Sequence, residues 1–210
     1  MDTAPAAPSR RRLLIGSALG STIALGGVLA ARAVAGAGPR GVPAPAAEEV
    51  CVVAPPTPHD PASGLAPLAA RPAPADARCP VCGMYPARHP RWAAEAVFDD
   101  GAAQFFDTPA HLFLYLQNVA RYQRGRTLEA VRALYAADHH GSGWLALDDA
   151  VFVQGSRALG PMRTEDLPAF ASAKAAAAFI AEAGGTPLRA AALRRSLPAG
   201  LRAQAPHRHP

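Results

Sequence analysis

Two short apolar runs, residues 92–98 and 102–106, meet at Asp99-Asp100-Gly101, and the second leads directly into Asp107-Thr108-Pro109. This stretch constrains the fold more than any other. An Asp-Gly step between apolar runs is a strong hairpin signal, because glycine accepts the positive φ that a tight turn demands. Thr108 then suits the N-cap of a helix, and Pro109 suits its first position, where a missing N–H costs nothing. Leu112, Leu116 and Val119, flanked by Phe113 and Tyr115, give an apolar face at helical spacing to about Tyr122. The predicted unit is strand, turn, strand, helix.

A second unit of the same kind follows. Residues 128–137 are apolar and read as a strand or short helix, and 138–143 as a loop. Residues 144–147 and 150–154 read as extended, with turns at Gly155-Ser156 and Gly160-Pro161. A helix is predicted over 172–183, closed by Gly184-Gly185. The expected fold class is therefore α+β, built from two small, similar strand-strand-helix subdomains.

The flanks differ in composition. Ser9-Arg10-Arg11-Arg12 opens an uncharged run from Leu13 to Ala31, and Ala33-Val34-Ala35 has the small residues of a cleavage site. Residues 1–35 read as a twin-arginine-like export signal, which places the protein in the periplasm. An uncleaved membrane anchor is the rival reading, since the run is about long enough to span a bilayer. Residues 36–77 are rich in Pro, Ala and Gly and read as a flexible or polyproline-like linker. Residues 189–210 form an Arg- and His-containing tail with one short helix. Residues 36–188 hold 12 basic against 15 acidic side chains, a net −3, so the excess positive charge belongs to the two ends. No basic face for nucleic acid is present in the body.

Chemistry concentrates in Cys79-Pro80-Val81-Cys82-Gly83-Met84. The chain has three cysteines and three methionines, and three of those six sulfurs, Cys79, Cys82 and Met84, lie in this segment. Thiolate and thioether are soft ligands that select Cu(I), while thiolates also suit zinc. If the segment is extended, Cys82 and Met84 point to one side as a two-sulfur clamp. The competing readings are a thioredoxin-type redox pair, a four-ligand structural zinc site to which His89 and His111 would add, and a disulfide staple. Pro86 would fall inside the helix that a thioredoxin-type pair needs, which weighs against that reading. His89 is the imidazole nearest in sequence, whereas His111 reads as a helix-surface residue. His139 and His140 read as a solvated pair, and Cys51 as a free thiol in the linker. Turn and capping duties account for Asp99, Asp100 and Asp107. There is no phosphate loop, nucleotide fingerprint or nucleophile elbow.

Cys82-Gly83-Met84, His89-Pro90-x-Trp92, Asp99-Asp100-Gly101 and Phe105-Phe106-Asp107 together resemble the first half of NosL proteins. Trp144, Ala150, Val153, Gly155-Ser156, Gly160-Pro161-Met162 and Gly184-Gly185 resemble the second half, so the likeness spans about 78–188. The resemblance implies a non-enzymatic, periplasmic Cu(I) metallochaperone that supplies copper to nitrous oxide reductase. It implies Cys82, Met84 and Met162 as ligands, with Cys79 a further ligand, a free thiol or a disulfide partner. Arg163 stands where the family's loop usually has glycine. The alternative function is a thiol–disulfide oxidoreductase using Cys79 and Cys82.

Overall fold

The structure is a computed structural model that describes residues 54–141 and 143–205. The export signal, Cys51 and the last histidines of the tail lie outside the described residues.

The hairpin forms where the turn chemistry places it. Strand β1 (Ala94–Phe98) pairs antiparallel with β2 (Ala103–Phe106), with Ala94 opposite Phe106 and Val97 opposite Ala103. Gly101, at φ 78°, donates its N–H to the Phe98 carbonyl at 2.9 Å. The Asp100 carboxylate accepts from Ala102 N–H at 3.1 Å, fixing the turn from the other side. Helix α1 (Pro109–Gln117) starts as predicted, with Thr108 Oγ1 accepting from His111 N–H at 3.2 Å. It stops five residues earlier than expected. Asn118 leaves helical conformation at φ −160°, ψ 80°, and its side chain caps a separate short helix α2 (Val119–Tyr122). An asparagine gains more by capping than by lying mid-helix.

The segment that reads as strand or helix is a 3₁₀ turn followed by strand β3 (Val131–Ala137), which pairs antiparallel with β1. Strand β4 (Trp144–Ala146) lies outside β3, so the sheet order is β2-β1-β3-β4. In the second half, β5 (Val151–Gln154) pairs with β6 (Ala169–Phe170), and helix α3 (Ala173–Ala183) follows. Ser172 caps α3, and Gly184, at φ 73°, ends it. Strand β7 (Thr186–Arg189), not foreseen, then returns along the free edge of β5, giving the order β6-β5-β7. The repeat is therefore strand-strand-helix-strand. In both halves the first strand is central, flanked by the second strand and by the strand that follows the helix.

Helix α1 is buried on all sides: every residue from Pro109 to Leu116 is buried. A helix apolar all round must be enclosed by several elements. The first sheet covers one side, Phe152 of β5 meets Phe113 edge-on at 5.3 Å, and the tail closes the rest. The tail carries two short helices, α4 (Ala190–Arg195) and α5 (Ala199–Arg202), and inserts Leu193, Leu197 and Leu201 into the same core. The other face of β1 and β2 is also apolar. Val97, Ala103 and Phe105 point there, and Ala73 and Ala77 pack over them. Residues 54–77, expected as part of the 36–77 linker, are thus tied down. Thr57 bridges to Ala103, Tyr135 donates its hydroxyl to the Leu68 carbonyl at 2.8 Å, and Arg71 N–H reaches buried Glu95 at 3.0 Å. Among the described residues no helix is long and apolar enough to cross a membrane.

Candidate metal centre

The cysteine segment is a turn, not a strand. Cys79 N–H donates to the Met84 carbonyl and Gly83 N–H to the Cys79 carbonyl, each at 2.8 Å. Gly83 sits at φ 78°, a left-handed conformation that closes the loop and that a side chain disfavours. The loop is fastened to β2 by Gln104, whose Nε2 donates to the Arg78 carbonyl at 3.3 Å. The alternation expected of an extended clamp at Cys82 and Met84 therefore does not apply, because the chain reverses between them.

This turn sets Cys79 and Cys82 against the β2–α1 junction. Cys79 is 1 % exposed, whereas Cys82 is half-buried. Asp107 ends the junction, and His111 lies four residues on, one helical turn away and on the same face. The Asp107 Oδ1 and His111 Nδ1 atoms are 2.7 Å apart, both side chains being buried. Cys82 donates its S–H to the same carboxylate oxygen at 3.2 Å, and Cys79 Sγ lies 3.8 Å from His111 Nδ1. One ligand atom from each of these four residues lies within 4.8 Å of all the others. Oδ2 of Asp107 is buried with no hydrogen-bond partner, although a buried carboxylate oxygen ordinarily has one.

The electrostatics match the geometry. Burial pushes the Cys79 thiol well above its usual range, reinforced by Cys82 and opposed by His111. Burial also opposes ionisation of Asp107, but the hydrogen bond and charge of His111 outweigh it and hold the carboxyl below its ordinary value. Burial would likewise strip the proton from His111, yet Asp107 and Cys79 reverse that effect and raise it. The site thus holds an imidazolium–carboxylate pair beside the protonated Cys79 thiol. Thiolates and imidazole are the donors that soft and borderline metal ions take from proteins. The set fits such an ion once its protons leave.

Three sequence expectations, on His111, Asp107 and His139, are corrected here. His111 is 2 % exposed and faces the sulfurs, because α1 has no solvent face to offer. Asp107 is not explained by capping, since Thr108 is the cap and Asp107 points into the cluster. A carboxylate and a histidine four residues apart at a helix start were the available signal. His89 instead lines a surface cavity of about 390 Å³ with Arg88, Pro90, Arg91, Trp92 and His139. His139 is not solvated: its ring lies edge-on to Trp92 at 4.5 Å and packs against Phe170 and Phe179, and burial pulls its pKa down to about 4. Met84 is half-buried at the end of the loop. Met162 is exposed on the turn after Gly160-Pro161, where Arg163 takes φ 59° without being glycine.

Fold and cluster define a small α+β protein with a metal-ligating site of two thiols, an imidazole and a carboxylate at a helix N-terminus. The sequence model of the NosL family matches residues 72–198, more than half of the chain. The chain belongs to the NosL family. Among solved structures, the crystal structure of the copper chaperone NosL from Shewanella denitrificans is similar at 23 % identity and a TM-score of 0.50. The match covers 60 % of this chain and 96 % of that one. The solution structure of the apo-NosL protein from Achromobacter cycloclastes is 22 % identical over 52 % of this chain and 87 % of that one, with a TM-score of 0.36. None of the curated proteins matches the sequence.

Proposed function

We propose that this protein is a non-enzymatic Cu(I) chaperone of the periplasm that supplies copper for the maturation of nitrous oxide reductase or a related copper enzyme. The observation that carries the reading is the convergence of Cys79, Cys82, Asp107 and His111 within 4.8 Å. Membership of a family that includes a copper chaperone supports it, as does the export-type N-terminus. Cys82, half-buried at the mouth, is the principal ligand. Cys79 and His111 are donors from the buried side, while Met84 and Met162 are the thioethers the family resemblance adds.

Transfer by ligand exchange needs a site open on one side, and the difference in exposure between Cys79 and Cys82 provides one. The rim is cationic. The Arg78 and Arg88 guanidinium groups both lie over the Tyr85 ring, at 4.3 and 4.5 Å, and Arg91 follows, with no acidic residue from 78 to 92. A recipient with an acidic surface would be steered to it.

The test is an anaerobic Cu(I) titration of the protein against a competing chelator, beside Cys82→Ser, His111→Ala and Met162→Ala. One-to-one binding that weakens at least about tenfold in the Cys82 variant is expected. Absence of Cu(I) binding by the reduced protein would refute the reading, and the Met162 variant decides whether that thioether is a ligand.

A further inference from the structure

The asymmetry of the two thiols has chemistry of its own. Their sulfurs lie within 4.8 Å, in a turn closed at both ends by backbone hydrogen bonds. The chain after Cys82 does not continue as a helix; it passes through Met84 to a 3₁₀ turn at Pro86–Arg88. The sulfurs are therefore juxtaposed by the turn itself, and the proline that weighs against a thioredoxin-type pair is no obstacle. Cys79 is 1 % exposed beneath the loop, and its neighbours there are Cys82 and His111. An incoming disulfide can reach Cys82 but not Cys79.

We propose that Cys79 and Cys82 form a thiol–disulfide exchange pair, with Cys82 the entry thiol and Cys79 the resolving thiol, and that its oxidation closes the metal site. In the first step the Cys82 sulfur attacks one sulfur of an external disulfide, carried by a protein or a small thiol compound. A mixed disulfide forms, and the departing thiolate takes up the proton Cys82 has lost. In the second step the Cys79 sulfur attacks the Cys82 sulfur of that mixed disulfide. The Cys79–Cys82 bond forms, the second external thiol leaves with the Cys79 proton, and the protein has given up two electrons to the external disulfide. The closed pair has no thiolate to offer, so Cu(I) is held only by the reduced form. The gating part rests on the proposed copper-binding function; the exchange part does not.

The test uses the metal-free full-length chain carrying Cys51→Ser, so that Cys79 and Cys82 are its only thiols, with oxidised glutathione as the external disulfide. Samples are quenched in acid and weighed by mass spectrometry. The expected product has lost two hydrogens and retains no glutathione. With Cys79→Ser added, or Cys79→Ala if serine disturbs the buried position, one glutathione stays on Cys82. With Cys82→Ser added, Cys79 reacts at least about a hundredfold more slowly than Cys82, as burial of a thiol implies. A protein with both thiols that stops at the glutathione adduct would overturn the proposal, as would equal reaction of Cys79 when Cys82 is absent. The oxidised protein should bind no Cu(I) and regain binding after reduction. Exchange by a protein whose reduced form binds no Cu(I) would refute the chaperone and gating readings and support the exchange pair. Cu(I) binding with no internal disulfide would refute the exchange pair alone.

Discussion

Glu95 offers the sharpest test of the energetics, because a carboxylate in the middle of β1 is fully enclosed. Its side chain points to the face covered by residues 54–77, where it accepts Arg71 N–H at 3.0 Å, and Arg71 Nε stands 3.5 Å away. Arg71 commits its other end to the Gly101 carbonyl, so its charge is only partly turned on Glu95. Burial dominates, and the pKa is pushed up from 4.5 to about 7. Between those values the folded protein binds a proton that the unfolded chain has released. Stability is therefore full below pH 4.5 and falls as pH rises to 7. At about 1.4 kcal/mol per pH unit, the penalty above pH 7 is about 3 kcal/mol. Glu95→Gln keeps the acceptor for Arg71 N–H and removes the titration. Urea unfolding of both proteins at pH 4, 5, 6, 7 and 8 measures the difference, and groups common to both cancel. The variant should match the wild type near pH 4 and exceed it by about 3 kcal/mol at pH 8. A difference that stays flat with pH would show that Arg71 compensates the buried charge completely.

Other expectations follow from single contacts. His139, drawn down to about 4 by its aromatic surroundings, makes the folded state take up fewer protons than the unfolded chain between pH 6.5 and 4. Stability should therefore fall as pH falls through that window, and the difference between the protein and His139→Phe in urea unfolding should grow with acidification. Leu201→Ala should cost about 2–4 kcal/mol in the same assay, because that leucine of the tail is fully buried. Gly83→Ala forces a side chain into φ 78° and should cost about 1 kcal/mol, while weakening Cu(I) binding in the chelator competition. Gln104→Leu removes the tie between β2 and the Arg78 carbonyl, so Cu(I) affinity should drop while the circular dichroism spectrum is kept.

The elements read correctly from sequence are those decided within a few residues. Asp99-Asp100-Gly101, Thr108-Pro109 and Gly184-Gly185 each carry their own turn or cap chemistry, and each does what that chemistry predicts. The third strand of each unit is decided elsewhere. Thr186-Pro187-Leu188-Arg189 has a proline and a mostly exposed surface, and it becomes a strand only because β5 presents an open edge to it. The same holds for residues 54–77. Their composition forms no core of its own, but the second apolar face of β1 and β2 needs a cover. Within the site, Cys79 and Cys82 were legible because two thiols three residues apart have few neutral explanations. His111 was not, since a histidine among Leu112, Phe113 and Leu114 declares its burial only when the helix is known to be enclosed all round.

The hairpin register and the chemistry of the site are a single arrangement. Gln104 and Asp107 lie three residues apart along β2 and its exit, the first holding the carbonyl that precedes Cys79, the second facing both sulfurs. Thr108 then fixes the start of α1, and through it the position of His111. A slip of one residue between β1 and β2 would turn Gln104 away from Arg78 and Asp107 away from the thiols, because side chains alternate across a strand. The pairing of Ala94 with Phe106 excludes that slip, since Phe106 packs inward against Tyr115 at 5.0 Å and Phe105 packs on the opposite face. The donors are thus positioned by core packing rather than by a flexible loop. On the proposed function this leaves Cys82 as the moving part: a partner must displace it from a frame in which Cys79, Asp107 and His111 are already fixed.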